Sequence, residues 1–243
     1  PRSGGAATHK TSRSRRPTDA RRAYLPWIAA TLLATMCAGT LQLAQPTVFE
    51  RFLGPLPPAV TTAVLGAVGL AALVFLERRG FWRRGSASRT IRGLIVATLA
   101  TLPFAAIAIV VDVAVGFPRD MNVAWPEAWL LYPAMAVVAE SVFHLLPLAA
   151  LVWLTGSWFA GRRVDRRVAT LIVLTALVEP FAQVLLGSAL PIFTAGHVFL
   201  IGVVQLLLLR RYGYLPMLWF RLGYYLLWHI LWGEARLALL FGG

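Results

Sequence analysis

The sequence predicts an all-α integral membrane protein of about seven transmembrane helices, with its N-terminus cytoplasmic and its C-terminus outside. Three observations carry that expectation. Of 243 residues, 58% are hydrophobic and only 14% charged, and the mean hydropathy of +0.70 exceeds what a water-soluble domain of this length needs to fill a core. Apolar runs near the roughly 20 residues that a helix needs to cross a bilayer recur along the chain. Basic residues crowd every second connection between those runs, as the positive-inside rule requires.

Residues 1–23, rich in Arg, Ser, Thr and Gly, bury too little apolar area to fold and read as a disordered, basic cytoplasmic tail. Arg21 and Arg22 ahead of an apolar run faintly resemble a twin-arginine signal, but six further spans favour an ordinary cytoplasmic arm. The first three spans cover about 24–45, 56–76 and 91–116. Cys37, the only cysteine, rules out an internal disulfide and packs as a small apolar residue. The first two spans hold no ionisable residue in their interiors, and the third holds only Asp112, expected near its outer end within reach of water. Residues 24–116 therefore read as a three-span scaffold. The last four spans, about 127–156, 168–187, 189–209 and 214–241, carry most of the intramembrane polarity and make 127–241 the functional half.

Charge placement orients the chain. The tail holds Arg2, Lys10, Arg13, Arg15, Arg16, Arg21 and Arg22, and later basic groups cluster at Arg78–Arg92, Arg162–Arg167 and Arg210–Arg211. The intervening connections hold only Arg51 and Arg119. The net charge of +13 is thus an orientation signal that also favours anionic lipid. Nucleic acid is excluded as a partner, because the cations flank spans and are not interleaved with aromatics in a soluble module. The expected home is the cell (inner) membrane, with an organelle membrane as the other compartment that this pattern permits.

Ionisable groups deep in a bilayer are costly and need a partner or a task. Glu140, His144, Glu179, His197, Arg221 and His229 fall at depths where they can converge on one polar cavity. Glu140 and His144 are one helical turn apart on one face, a spacing that suits two metal ligands, a carboxylate orienting an imidazole, or a packing pair that satisfies itself. Glu179 precedes Pro180, so it and Gln183 either serve a cavity or satisfy a broken backbone ladder. Thr194, Ala195 and Gly196 beside His197 are small enough for another helix to approach closely, and they suggest a site with room for a ligand or substrate backbone. Arg221 is expected to pair with Glu140 or Glu234, or to reach the cytoplasmic face. His229 lies among aromatic residues. Glu234 and Arg236 are expected to meet water or headgroups near the outer end. A divalent metal such as zinc, held by His144, His197, His229 and Glu140, is a chemically coherent set, and Glu140 or Glu179 is placed to deprotonate water.

Three stretches in this order resemble the CPBP family of intramembrane proteases, which includes type II CAAX prenyl endopeptidases. AESVFH (139–144) resembles the family's Glu-Glu-x-x-x-Arg stretch with Phe143 in register, FTAGH (193–197) matches Phe-x-x-x-His, and HILWG (229–233) resembles His-x-x-x-Asn or Asp through its histidine. The segment 199–215 is similar to the family's connection between the second and third motifs. In this register Ala139 stands at the first Glu, Glu140 at the second, His144 at the Arg, and Gly233 at the final Asn or Asp. The resemblance implies a carboxylate and His197 activating water, His229 stabilising the oxyanion, and a membrane-embedded peptide or prenylated protein as substrate. The alternative is a non-enzymatic polytopic protein, either a pseudoprotease that binds partner helices or a proton or small-solute transporter.

Overall fold

The computed structural model describes residues 24–159 and 164–242, and among them the chain is helical with no strand. The predicted disordered tail, 1–23, lies outside the described residues. The elements are α1 (Leu25–Ala44), a short α2 (Thr47–Leu53), α3 (Pro58–Arg78), α4 (Ala87–Val115), α5 (Ala128–Ala139), α6 (Leu146–Leu154), α7 (Arg166–Ala176), α8 (Val178–Leu185), α9 (Pro191–Tyr212), α10 (Tyr214–Tyr224) and α11 (Trp232–Phe241). A π-helical turn, Glu140–Leu145, joins α5 to α6, and a second, Tyr225–Leu231, joins α10 to α11. Six helical runs are long and apolar enough to cross a membrane: α1, α3, α4, Ala128–Leu154, Arg166–Leu185 and α9. The last run, 214–241, is helical throughout but carries Arg221, His229, Glu234 and Arg236.

Local sequence sets the boundaries. A proline in the first turn opens α1, α3, α6 and α9, where its missing N–H costs no helical hydrogen bond. Asp165 caps α7, its Oδ1 accepting from the Val168 amide at 2.9 Å. Gly213, at φ +105°, separates α9 from α10, a backbone conformation that other residues rarely adopt.

Packing follows membrane rules. Helix α4 buries Gly93, Ala97, Thr101, Ala105, Ala108 and Asp112 and exposes Ile91, Ile95, Leu99, Ile107 and Val110. Small residues face the protein and large apolar ones face outward, because lipid solvates Leu and Ile as well as a core does, and helix association relies on close backbone approach. Trp27 on α1 donates through Nε1 to the Gly66 carbonyl of α3 at 2.9 Å. A side chain at Gly69 on α3 would run into Ser141 and Trp27, so this glycine seats α3 against the turn that carries Glu140.

Two expectations are corrected here. Asp112 and Arg236 do not meet water or headgroups; their exposures are 1% and 0%. Arg236 clamps Asp112 through Nε–Oδ2 at 2.6 Å and Nη2–Oδ1 at 2.8 Å, and also donates to the carbonyls of Phe117 (2.8 Å) and Pro118 (3.0 Å). Trp232 Nε1 and the Phe117 amide complete the carboxylate's partners, at 2.7 and 2.8 Å. The chain turns back after α4 and covers the pair, so two charges near a helix end became interior. Glu234 is exposed and accepts from the Trp125 amide at 3.4 Å.

Candidate functional site

A cavity of about 120 Å³ lies between α4, α8, α9 and α10 with its following π turn, and Glu179, Gln183, His197, Arg221, Tyr224 and His229 are among the residues lining it. This volume exceeds the ~10–15 Å³ that one water requires, and the wall offers polar partners, so the space can hold several waters. Both π turns contribute to the polar region: the first presents Glu140 and His144, the second Tyr225 and His229. An inserted residue in a π turn shifts the face on which side chains emerge, and such turns gather at functional sites.

Arg221 on α10 organises the polar interior. Its Nε donates to Glu140 Oε1 at 2.7 Å. Nη1 donates to Glu179 Oε1 at 3.0 Å and to the Tyr225 hydroxyl at 3.1 Å. Nη2 donates to Glu179 Oε2 at 2.7 Å, and its second proton faces both Gln205 Oε1 at 3.2 Å and His144 Nδ1 at 3.3 Å. All five guanidinium N–H groups therefore have acceptors. The Gln205 amide donates to Glu140, which fixes its orientation. Glu140 and His144 are fully buried, Nδ1 lying 3.3 Å from Oε2, and His144 Nε2 has no hydrogen-bond partner among the described residues. Gly202 on α9 makes room for that ring: a Cβ there would stand 3.2 Å from His144 Nε2 and 3.3 Å from Ala176.

The two cavity histidines are held differently. His197 stacks on Phe193 with ring centroids 5.0 Å apart, and its Nε2 lies 3.2 Å from the Tyr224 hydroxyl. His229 stacks on Tyr132 at 4.6 Å, and its Nδ1 lies 2.7 Å from Asn122 Oδ1. Asn122 also reaches the Trp228 carbonyl through Nδ2 at 3.5 Å, so its oxygen accepts from His229 Nδ1–H and leaves Nε2 as the basic nitrogen. Gly233 is the reason Asn122 fits: a Cβ at 233 would lie 3.0 Å from Asn122 Cβ. Asn122 itself comes from the loop before α5.

Of the predicted site residues, Glu179, His197 and His229 line the cavity, and Arg221 joins Glu179 to Glu140 and His144 behind it. Glu140 and His144 are not part of the lining. Helix α7 ends at Ala176 and α8 begins at Val178, so the break expected at Pro180 is present, and Glu179 serves the cavity. Gly196 has open space, with nothing within 4 Å of a Cβ there, so no other helix approaches it closely, while Thr194 and His197 line the cavity. Of the four residues expected to hold a metal, His197 and His229 line the cavity, whereas Glu140 and His144 lie outside its lining. Among the described residues no three of His, Cys, Asp and Glu form a group able to hold a metal ion. The Arg221 guanidinium lies 2.7 Å from both acids. Sequence reading missed Asn122, Tyr224 and Tyr225. The two tyrosines sit one turn and less from Arg221 and were legible as its neighbours, whereas nothing local marks a loop asparagine.

No family model matches the chain, and no curated protein or solved structure matches it either. The class that fold and site define is a helical protein with six membrane-spanning candidates among its described residues and a cavity lined by polar and apolar side chains.

Proposed function

We propose that the chain is a seven-span protein of the cell membrane that hydrolyses a peptide bond of a membrane-embedded or prenylated substrate, an intramembrane peptidase of the CPBP type. One observation carries this reading. Two imidazoles, a guanidinium anchored by carboxylates, and tyrosine side chains line a cavity of about 120 Å³ among apolar helices. The reading takes 214–241 as the seventh span, since the run is helical throughout and longer than the roughly 20 residues a crossing needs, which puts the C-terminus outside when the basic loops are cytoplasmic.

In this mechanism a cavity water attacks the substrate carbonyl carbon and gives its proton to His229 Nε2, the nitrogen left basic by the Asn122 contact. The carbonyl oxygen takes the negative charge, which Arg221 and the Tyr224 hydroxyl stabilise. Collapse of the tetrahedral intermediate breaks the C–N bond, and the leaving amine takes a proton back from the imidazolium. Glu179 already accepts from Arg221 on both oxygens, so it anchors the guanidinium and is not the base.

The test is cleavage of membrane-embedded and prenylated peptides in proteoliposomes, read by mass spectrometry. His229→Ala and Glu179→Gln are expected to lose about 10²–10⁴-fold in rate, the usual contribution of a positioned acid–base group and of oriented electrostatic donors. Product formation that survives both changes and His197→Ala would remove the cavity from the chemistry.

A second reading, proton-coupled transport, is favoured by charge balance. Two buried carboxylates share one guanidinium, leaving one negative charge in a low dielectric unless the cluster binds a further proton, and His144 adjoins it. This reading expects uptake driven by a pH gradient and abolished by Glu140→Gln, with no peptide product.

A further inference from the structure

We infer that a second site, at the end of the bundle where α4 begins and α9 ends, holds the phosphate head of an anionic phospholipid. The groove there has a volume of about 810 Å³, within the ~300–1,000 Å³ range of small-molecule sites. Arg89 and Arg92 of α4 and Arg210 and Arg211 of α9 line it, with Ser88 and Leu207. The two helix ends are pressed together: a Cβ at Gly93 would meet Pro216 and Tyr212 side-chain atoms at 2.6 Å. That contact brings cations about 120 residues apart in the chain into one concavity.

The four arginines have different tasks. Arg210 is buried, donates to the carbonyls of Gly80 and Phe81, and lies over the rings of Phe81 and Phe159 at 5.2 Å, so it is a fixed part of the floor. Arg89, Arg92 and Arg211 are exposed, and Arg211 lies over the Tyr212 ring at 5.7 Å, a contact that leaves its N–H groups available. Asp165 is close enough to act on Arg210, and its Oδ1 already accepts from the Val168 amide. Three exposed guanidinium groups around one concavity attract phosphate, which they bind in fork geometry.

The surroundings select a lipid over a soluble anion. On α4 the positions three, four and seven residues beyond Arg92 are Ile95, Val96 and Leu99, all exposed; on α9 the same face runs back from Arg211 to Leu207 and Leu200, also exposed. Exposed apolar stripes lead from the cationic rim along both helices, so a head in the groove leaves its acyl chains lying on hydrocarbon-facing surface. Basic pockets between transmembrane helices at the cytoplasmic face recognise multiply charged heads in this way.

The experiment uses the full chain in detergent, with lipid retention counted by native mass spectrometry and binding followed as a rise in thermal unfolding midpoint. The probes are phosphatidylcholine, phosphatidylglycerol, cardiolipin and inorganic pyrophosphate. Wild type is expected to retain cardiolipin and phosphatidylglycerol over phosphatidylcholine. The triple variant Arg89→Gln/Arg92→Gln/Arg211→Gln is expected to lose roughly a hundredfold in cardiolipin affinity, each surface cation near an anionic head being worth about fivefold. A charge-matched control, Arg13→Gln/Arg15→Gln/Arg16→Gln, is expected to retain wild-type affinity, and Arg89→Gln alone to show a partial loss. Equal retention of charged and zwitterionic lipid, an equal loss in the tail control, or stabilisation by pyrophosphate as large as that by cardiolipin would each overturn the assignment.

Discussion

Arg221 is the residue on which the interior depends. Its guanidinium is 3% exposed and bridges two carboxylates from different helices. Removing it leaves two acids facing each other in a medium that cannot solvate them. Arg221→Leu is therefore expected to lower unfolding free energy by about 3–5 kcal/mol, read from reversible unfolding in mixed micelles. Arg221→Lys is expected to recover less than half of that, because one ammonium lacks the planar fork that meets Glu140 and Glu179 together. Asn122 offers a sharper test of a single contact. In Gly233→Asn the new Cβ falls 3.0 Å from Asn122 Cβ, so the substitution is expected to destabilise by about 1–3 kcal/mol. Pairing it with Asn122→Gly removes the clash. The double variant is expected to recover thermal stability, and an unchanged deficit would show that the crowding lies elsewhere.

At the scale of elements, close helix approach is concentrated at particular glycines. Gly202 lets α9 pass both His144 and α7, with contacts of 3.2 and 3.3 Å waiting for any Cβ, whereas Gly196, six residues earlier on the same helix, has open space around it. Gly202→Ala is expected to cost about 1–3 kcal/mol and Gly196→Ala to be neutral or slightly stabilising, measured as paired shifts in thermal midpoint. The sequence offered Thr194, Ala195 and Gly196 both as a place of close approach and as room beside His197, of which Gly196 has only the open space, and left Gly202 unnoticed among Ile201, Val203 and Val204. Small neighbours do not create a crossing; the partner helix must lie over them. The break between α7 and α8 was legible, since Glu179-Pro180 within an apolar run predicts one, but the destination of Glu179 was not. The two π turns had no sequence signal at all, and without them the faces presenting Glu140, His144 and His229 would be rotated.

At the scale of the whole molecule, the seven-span reading predicts an odd number of crossings. With Cys37→Ser as background, single cysteines at Ser12 and Ser86 are expected to react with a membrane-impermeant maleimide only after permeabilisation. Cysteines at Ser188 and at Gly243 are expected to react in intact cells. Labelling of position 243 from the same side as position 12 would mean that 214–241 does not cross. Six candidate spans and their approximate ends were legible in the sequence alone, because hydropathy is a sum over neighbouring residues and bilayer thickness sets its scale. Which polar groups meet was decided only by tertiary structure. A membrane helix is apolar on every side, so its periodicity does not announce the face that packs inward. Asp112 and Arg236, 124 residues apart, and Arg221 and Glu179, 42 apart, find each other through helix rotation and crossing, and neither is written in any local stretch of the chain.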